Sequence, residues 1–498
     1  MHLPPLLEDA AKMIDVAGAK AVLVGGAVRD MVMGKEPKDF DIEVYGLKEV
    51  SQLETLLSRF GKVSAVGKSF GVLKLHIGGE VYDFAFPRTE KKTAKGHQGF
   101  EVVPDGGLDF ATAAKRRDFT VNAIGYDLLT KEIFDPYGGL NDIQFGILRH
   151  IDDATFVEDP LRVYRAVQFA ARFGFEVAEE TAVLCKKMVT EGMLEELPKE
   201  RVYEEWKKLL LKAPKPSVGF ELMREWGITA RYFPELHALS GVPQDPKWHP
   251  EGDVWVHTMM SVNAMAGELK REKGKGEDEK WRLKLLFAEL CHDFGKPLTT
   301  TIEYEDGRVE KWQPINKSVS SETHTTIPHS SFLIPHSNAR IRALGHEKAG
   351  IEPTRTFLYH LTNEHDFIES ILPLVEHHLK PSQFYRQGAK AGAIRRLATK
   401  VNIEELVLVA KADFLGRTTP EAKRGEYPAG EWLLEKAQQL SVRSRPLKPM
   451  VQGRDLIALG LEPSPNFKRI LDALYAKQMD GDFEDKEAAL AYVREHCL

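Results

Sequence analysis

Residues Leu23-Val-Gly-Gly-Ala-Val-Arg-Asp30, followed nine residues on by Asp39-Phe-Asp41, constrain this chain more than any other stretch. An apolar run enters a double glycine and a helical pattern begins at once, so strand must turn into helix with almost no intervening loop. Gly25 and Gly26 permit such a turn and let a ligand approach the backbone with no Cβ in the way. The first N–H groups of the helix that follows favour an anion. If Phe40 lies in a strand, alternate side chains share a face and Asp39 and Asp41 project together. Two carboxylates on one face suit a hard cation, and Mg²⁺ is commonly held by one or two carboxylates plus substrate phosphates. A phosphate site beside a metal site is the layout for phosphoryl or nucleotidyl transfer. Either half alone is commonplace, as an ordinary turn or a solvated strand end; their order and spacing carry the reading.

At 498 residues the chain exceeds one ordinary core and suggests three or more domains. With 43% hydrophobic and 29% charged residues it reads as soluble and globular. It lacks the run of about 18 apolar residues that a membrane span requires. The opening MHLPPLLEDAAK has no basic segment leading into an apolar core, so secretion is not expected. The three cysteines (Cys185, Cys291, Cys497) are far apart and odd in number, which fits a reducing, cytoplasmic setting without a disulfide framework. Cys291 reads as an inert core thiol rather than a metal ligand. A net charge of −6 excludes indiscriminate coating of nucleic acid, although local basic surfaces remain open. Lys380 to Lys400 carries six basic and no acidic residues, and Phe384 and Tyr385 offer faces for base stacking. A solvated helix with its lead-in loop accounts for that segment equally well.

Residues 1–145 mix helices with β-rich runs, and AKAVLVGG, KDFDIEVYG, FGVLKLHIGG and EVYDFAFPR read as strands. RTEKKTAKGHQGFEV is polar and basic, and reads as a loop beside the site. Residues 146–235 turn helical, in DPLRVYRAVQFAARFGF, AEETAVLCKKMVTEGML and KERVYEEWKKLLLK. A helical region, 236–440, follows and is interrupted from about 299 to 342 by a polar stretch that reads as an inserted loop or hairpin. Residues 441–498 form a helical tail. The fold class is therefore α+β, a mixed-sheet head followed by an all-α body.

Asp83 lies on a strand and is the candidate third carboxylate of a two-metal site; Glu43 is a weaker competitor, and an ordinary strand-end aspartate is the plain alternative. In Lys115-Arg-Arg-Asp-Phe-Thr-Val-Asn122, three cations precede Asp118 and Asn122. Such a block can neutralise a triphosphate and hydrogen-bond a ribose, arginine giving bidentate contact to phosphate oxygens. A solvated charged turn would explain KRRD alone. Asp159-Pro-Leu-Arg162 has two readings. Asp before Pro is what a helix N-cap looks like. Yet Asp159 and Arg162 are helical neighbours, and together they offer an acceptor and a donor to one base. Such a pair would accept the amine of cytosine or adenine and reject uracil and guanine, which present an acceptor there.

The text GGAVRDMVMGKEPKDFDIEVYG resembles the head signature of the polymerase β-like nucleotidyltransferases, in the branch of tRNA nucleotidyltransferases and bacterial poly(A) polymerases. The resemblance implies Asp39 and Asp41 as ligands of catalytic Mg²⁺, with Gly26 and Arg29 at the nucleotide phosphates. RRDFTVNA is similar to the second motif of the family and implies Arg117 as a triphosphate contact, while DPYGGLND, residues 135–142, matches as a structural element. EDPLRVYRAVQFAARFGF resembles the nucleotide-selecting motif and favours base reading by Asp159 and Arg162. Arg165 is retained there, but Gln168 stands where the family usually has arginine, leaving one cation fewer near the triphosphate.

Histidine concentrates after residue 240. Imidazole and carboxylate ligands suit divalent transition metals as well as Mg²⁺ and Mn²⁺. His257, His292-Asp293 and Asp413 resemble the H…HD…D ligand set of HD-domain phosphohydrolases, and His346 with one of His377 or His378 falls near further histidine positions of such proteins. His324, His329 and His336 have no assigned role. The whole order is similar to bacterial multifunctional CCA proteins; the tail GRDLIALGLEPSPNFKRILDALYAKQMDG also resembles that family's, with Ser464 where glycine is commoner. The resemblance implies addition or repair of a tRNA 3′-CCA end from CTP and ATP with Mg²⁺. It also implies a second hydrolytic activity with Ni²⁺, Mn²⁺, Co²⁺ or Mg²⁺, in a monomer or homodimer. The alternatives are a poly(A) polymerase, an enzyme adding only C or only A, or a protein that is principally the phosphohydrolase.

Overall fold

β1 (Lys20–Val24) is apolar at every position but its first, and a strand of that kind needs cover on both faces. The protein is seen here as a computed structural model, which describes residues 3–66, 71–92, 100–271, 278–313 and 339–496. The strands that follow are β2 (Asp41–Tyr45), β3 (Lys62–Val66), β4 (Val72–Ile77), β5 (Glu80–Ala85), β6 (Arg88–Lys92), β7 (Phe100–Pro104), β8 (Gly125–Asp127) and β9 (Ile133–Phe134). All but β6 and β7 form one mixed sheet, ordered β3-β4-β5-β2-β1-β8-β9. Ala21 and Leu23 of β1, Ile42 and Val44 of β2, and Tyr82 and Phe84 of β5 pack into one core with the helices Pro5–Val16 and Val50–Leu57. Val22, Val24 and Tyr45 face the other way, against Phe110 and Phe134.

Two local expectations change. β2 begins at Asp41, so Asp39 and Phe40 lie just ahead of the strand. Phe40 nonetheless packs against the same core as Ile42, its ring 5.8 Å from that of Tyr82, which preserves the alternation. RTEKKTAKGHQGFEV is not simply a loop, because β6 and β7 pair antiparallel in a hairpin. Thr89 lies across from Val103 on the two arms, and β-branched residues opposite one another favour pairing. Residues 93–99 of that segment lie outside the described residues.

Past the sheet, helices Leu161–Phe173 and Lys199–Lys212 pack together around buried Val163, Val167 and Trp206. Short β10 (Ile147–Leu148) and β11 (Glu176–Val177) pair in parallel beside them. Contacts divide the chain into two compact units, 1–213 with 218–228 and 214–217 with 229–498. The second is built on helices Val254–Arg271, Glu279–Cys291, His365–His377 and Ile403–Leu415. The polar interruption appears there as β12 (Thr300–Glu303), flanked antiparallel by β13 (Val309–Lys311) and β14 (Arg340–Ala343). Residues 314–338, with His324, His329 and His336, lie outside the described residues. In the tail, helices Gly453–Ala458, Asn466–Asp480 and Lys486–His496 gather around a small core containing Leu456, Leu474 and Val493.

Candidate functional site

In the first unit the site grows from the turn after β1. Gly25 has φ +71° and ψ −136°, a conformation that side chains disfavour. A Cβ there would also come 3.0 Å from Nη1 of Arg117, so glycine gives both the turn and the room for that guanidinium. Gly26 then opens the helix Gly26–Val32. Next to β1, the parallel pairing of β2 with β5 sets Asp41 directly opposite Asp83. With Phe40 in the core, Asp39 falls on the side of Asp41. Loss of hydration raises the Asp41 pKa above the ordinary carboxylate value; Arg117 opposes the rise, and Asp83, Asp39 and Glu43 reinforce it. Asp83 is met by Lys74, whose Nζ lies 3.0 Å from each carboxylate oxygen. Glu43 is committed elsewhere, accepting from the Tyr45 hydroxyl at 2.6 Å and Arg117 Nη2 at 2.8 Å. The acidic face is thus Asp39, Asp41 and Asp83, with Arg117 at its border.

Four other candidates form one hydrogen-bonded chain. Arg29 is buried, its Nη1 donates to Asn122 Oδ1 at 2.6 Å, and its guanidinium rests 4.5 Å from the centroid of the Phe173 ring. Asn122 donates to Asp118 Oδ1 at 2.9 Å, and Arg165 Nε to Asp118 Oδ2 at 2.7 Å. Burial pushes the Asp118 pKa up, but Arg165, Asn122 and Arg162 outweigh it and hold the carboxyl below its usual range. Arg162 donates to the carbonyls of Thr155 and Arg116, at 2.8 and 2.6 Å. Asp159 sits one residue ahead of Pro160, which holds the N-cap position; its Oδ1 accepts from Leu161 N at 3.2 Å, and its Oδ2 is 3.2 Å from Arg201 Nη2. Gln168 is buried, and its Oε1 has no hydrogen-bond partner among the described residues. The DPYGGLND segment is tied within itself by Asp135, which accepts from Gly139 N and Leu140 N, and to its surroundings by Asp142, which accepts from Thr120 Oγ1. Lys74 and Arg201 were not foreseen from sequence, because strand register and helix packing, not spacing, bring them to Asp83 and Asp159.

The second unit gathers His257, His292, Asp293, His346, His378 and Asp413, all buried, from separate helices and their ends. Nδ1 of His292, His346 and His378 lies 2.6–2.7 Å from the carbonyls of Glu289, Ala343 and Val375. Nδ1 of His257 lies 2.8 Å from Glu251 Oε1. Carbonyl and carboxylate oxygens only accept, so each Nδ1 is the donor and each ring turns its Nε2 inward. His257 Nε2 stands 3.1 Å from Asp413 Oδ1, and His346 Nε2 3.3 Å from His378 Nε2. Sequence left His377 and His378 as alternatives; His378 is the one in the cluster, while His377 lies outside it. Burial alone would lower the His292 pKa, but Asp293, Glu289 and Asp413 override it and lift it to about 10. Asp293 and Asp413 lie well below the ordinary value despite burial, which opposes that, chiefly through His292 and Lys296 for Asp293 and Arg417 and His257 for Asp413.

His292 Nε2 and both Asp293 oxygens are buried without a hydrogen bond among the described residues; Lys296 Nζ is 2.6 Å from Oδ2. Inward-turned imidazoles with buried carboxylates could hold a divalent metal ion. Cys291 is buried with its pKa pushed well up by burial, an inert thiol outside the cluster. Glu251, Lys296 and Arg417 are additions to the sequence reading. WHPEGD and HDFGK hold the first two in plain sight, and only the three-dimensional arrangement gives them partners. Asp293, His346, His378 and Asp413 reach the wall of a cavity of about 570 Å³ that Trp248, Tyr385, Arg386 and Arg424 also line. The Lys380–Lys400 segment supplies part of that wall. Farther along, Arg395 and Arg396 meet Met479 O and Asp480 of the tail.

Residues 21–149 match the family described as the poly A polymerase head domain, and 174–239 match the one described as a probable RNA and SrmB binding site of polymerase A. Among solved structures, the fold is similar to the Bacillus stearothermophilus CCA-adding enzyme in complex with CTP, at 21% identity and a TM-score of 0.63, covering 99% of each chain. It is also similar to the Thermotoga maritima CCA-adding enzyme complexed with tRNA, at 20% identity and a TM-score of 0.57, over 98% of this chain and 95% of that one. An apo CCA-adding enzyme aligns at 20% identity and a TM-score of 0.62, over 99% and 95% of the two chains. The expected fold, a mixed-sheet head followed by a helix-rich body, is the fold observed. Among the described residues no helix is long and apolar enough to cross a membrane.

Proposed function

We propose that the protein is a template-independent tRNA nucleotidyltransferase that adds or repairs a 3′-CCA end from CTP and ATP. The observation that carries this is the acidic face itself. Asp39 and Asp41 leave the head of β2 beside Asp83 of β5, against the Gly25-Gly26 turn and Arg117. Desolvation and like charges already strain Asp41, so the donor set fits Mg²⁺. When bound, Mg²⁺ eases deprotonation of the RNA 3′-hydroxyl and offsets charge on the leaving pyrophosphate. The chain's own residues do the rest. Arg117, at the edge of the carboxylates, meets the triphosphate and orients it. The Arg29–Asn122–Asp118–Arg165 chain holds the pocket wall rigid beneath the ribose and phosphates. Asp159 and Arg162 read the base: two backbone carbonyls pin the Arg162 guanidinium in place, and its remaining donors face a nucleobase acceptor. The solved CCA-adding enzymes with CTP and with tRNA support this assignment through their fold.

The test supplies tRNA transcripts ending before C, CC or CCA with each nucleoside triphosphate separately. Stepwise extension that stops after one CCA is expected. A long A tail would instead mark a poly(A) polymerase, and addition of C alone or A alone a partial enzyme.

A second activity rests on the buried histidine–aspartate cluster. We read the second unit as an HD-type metal-dependent phosphohydrolase. His257, His292, Asp293 and Asp413 would hold a divalent transition cation, which supplies a nucleophile from water at neutral pH. Lys296, Arg417, Arg386 and Arg424 would bind the substrate phosphate along the cavity wall.

A further inference from the structure

Glu43 is the carboxylate of the acidic face that already has two partners. Asp41, Glu43 and Tyr45 alternate along β2 and share one face, while Ile42 and Val44 enter the core behind it. The Tyr45 ring is anchored by the small core around Phe110, with the two ring centroids 6.2 Å apart. Its hydroxyl donates to Glu43 Oε2 at 2.6 Å, and Arg117 Nη2 donates to Glu43 Oε1 at 2.8 Å. One carboxylate oxygen is thus tied to a fixed ring and the other to the guanidinium. Only 24% of the Arg117 side chain and 20% of the Glu43 side chain are exposed, so solvent screens the pair weakly. Held this way, the guanidinium sets Nη1 over Gly25, 3.0 Å from where a Cβ would stand. A further carboxylate beside Asp41 adds repulsion to an already crowded face. What offsets that cost is control of Arg117. Arg117 and Asp41 attract each other, and an untethered guanidinium would swing onto the carboxylates that the cation needs.

We propose that Tyr45 and Glu43 are positioning residues for Arg117, holding its guanidinium at the nucleotide phosphates and off the metal-binding carboxylates. The assignment rests on the nucleotidyltransferase reading given above. Arginine carries five N–H donors, and the tether to Glu43 Oε1 uses one of them, leaving the rest of the fork for phosphate oxygens. A long, flexible side chain loses rotamer freedom whenever a ligand has to order it. One already fixed by a charged hydrogen bond meets the triphosphate without that loss. Tyr45 completes the relay, because a carboxylate held at one oxygen by a packed ring presents the other in a constant direction. Neither residue touches substrate in this scheme; both act through Arg117.

The test is a double-mutant cycle in the full chain, pairing Glu43→Ala with Arg117→Ala. It is read by CTP binding in chelator and by addition of a single C to a tRNA transcript with Mg²⁺. Glu43→Ala should weaken CTP binding and raise KM for CTP, each by about tenfold, as for one charged hydrogen bond. KM for tRNA should not move. The Mg²⁺ concentration for half-maximal rate should rise, because the released guanidinium competes with the cation at Asp41. Glu43→Gln keeps an acceptor for Nη2 and should recover part of the loss, and Tyr45→Phe should repeat the pattern at smaller size. In the Arg117→Ala background, Glu43→Ala should change neither CTP binding nor KM any further. Equal losses with and without Arg117 overturn the proposal and make Glu43 a ligand in its own right. Parental CTP affinity and KM in Glu43→Ala overturn it too. If the melting curve shows Glu43→Ala to be unfolded, Glu43→Gln and Tyr45→Phe take its place in the cycle. A parent that neither binds CTP nor extends tRNA removes the nucleotidyltransferase reading as well; a parent that does both, with additive variants, removes only the positioning role.

Discussion

Asp41 sits on the head's sheet under electrostatic strain before any substrate arrives. Its pKa is raised by loss of hydration and by Asp83, Asp39 and Glu43, against Arg117. A carboxyl whose folded pKa exceeds its unfolded value favours folding in its protonated state; that contribution is complete below the unfolded value and is lost as pH rises through the folded one. In chelator at neutral pH, Asp41→Asn should therefore melt above the parent, and the gap should close toward pH 4. Mg²⁺ should reverse the order, raising the melting temperature of the parent but not of the variant. A variant that melts below the parent in chelator at neutral pH would contradict the crowding of this carboxylate. Asp39-Phe-Asp41 was readable from the sequence because alternation on a strand is a short-range rule. Its third member was readable only as a candidate, since the Asp41–Asp83 pairing depends on strand order. Lys74 was beyond reach for the same reason.

At the start of helix Leu161–Phe173 the sequence offered two roles for Asp159, a cap and base reading, and the resemblance favoured the second. In the structure Asp159, one residue ahead of the N-cap position Pro160, accepts from Leu161 N through Oδ1 and meets Arg201 through the other oxygen. Both jobs can coexist, because a carboxylate has more lone pairs than one cap uses. Asp159→Ala should thus do two measurable things. Stability should fall by about 1 kcal/mol, as for a lost cap. Single-nucleotide incorporation should slow for CTP and ATP while misuse of UTP and GTP rises. A loss of stability with base preference intact would leave only the cap. Helices of this kind were legible because their apolar spacing is local; KERVYEEWKKLLLK emerges as the helix Lys199–Lys212. The β6–β7 hairpin was not, since a polar, basic run shows no apolar alternation. Arg29 shows the same limit at a motif: its type and position suggested a phosphate contact, while burial against Phe173 and Asn122 could come only from packing.

Across the whole molecule the two candidate centres draw on separate residues, one set from β1, β2, β5 and their neighbours, the other from helices after residue 250. Changing His292 and Asp293 to Ala should abolish metal-dependent hydrolysis of a 2′,3′-cyclic phosphate or phosphomonoester while CCA addition persists. A melting curve must accompany it, because losing a cation that binds only the folded state also lowers stability. Loss of both activities in a well-folded variant would show that the centres are coupled. The histidine cluster was partly visible in the sequence, since HD is contiguous. His346 and His378 gained their place only when the helices closed, as their neighbours in sequence do not distinguish them from other histidines. His257 and Asp413 stand 156 residues apart along the chain yet meet at 3.1 Å. A cation held by both would bind only where folding has brought them together, so its binding free energy would add to the stability of the fold. The buried Cys185 and Cys291 are free, with no disulfide among the described residues. The second unit would then carry a staple that a chelator, rather than a reductant, releases.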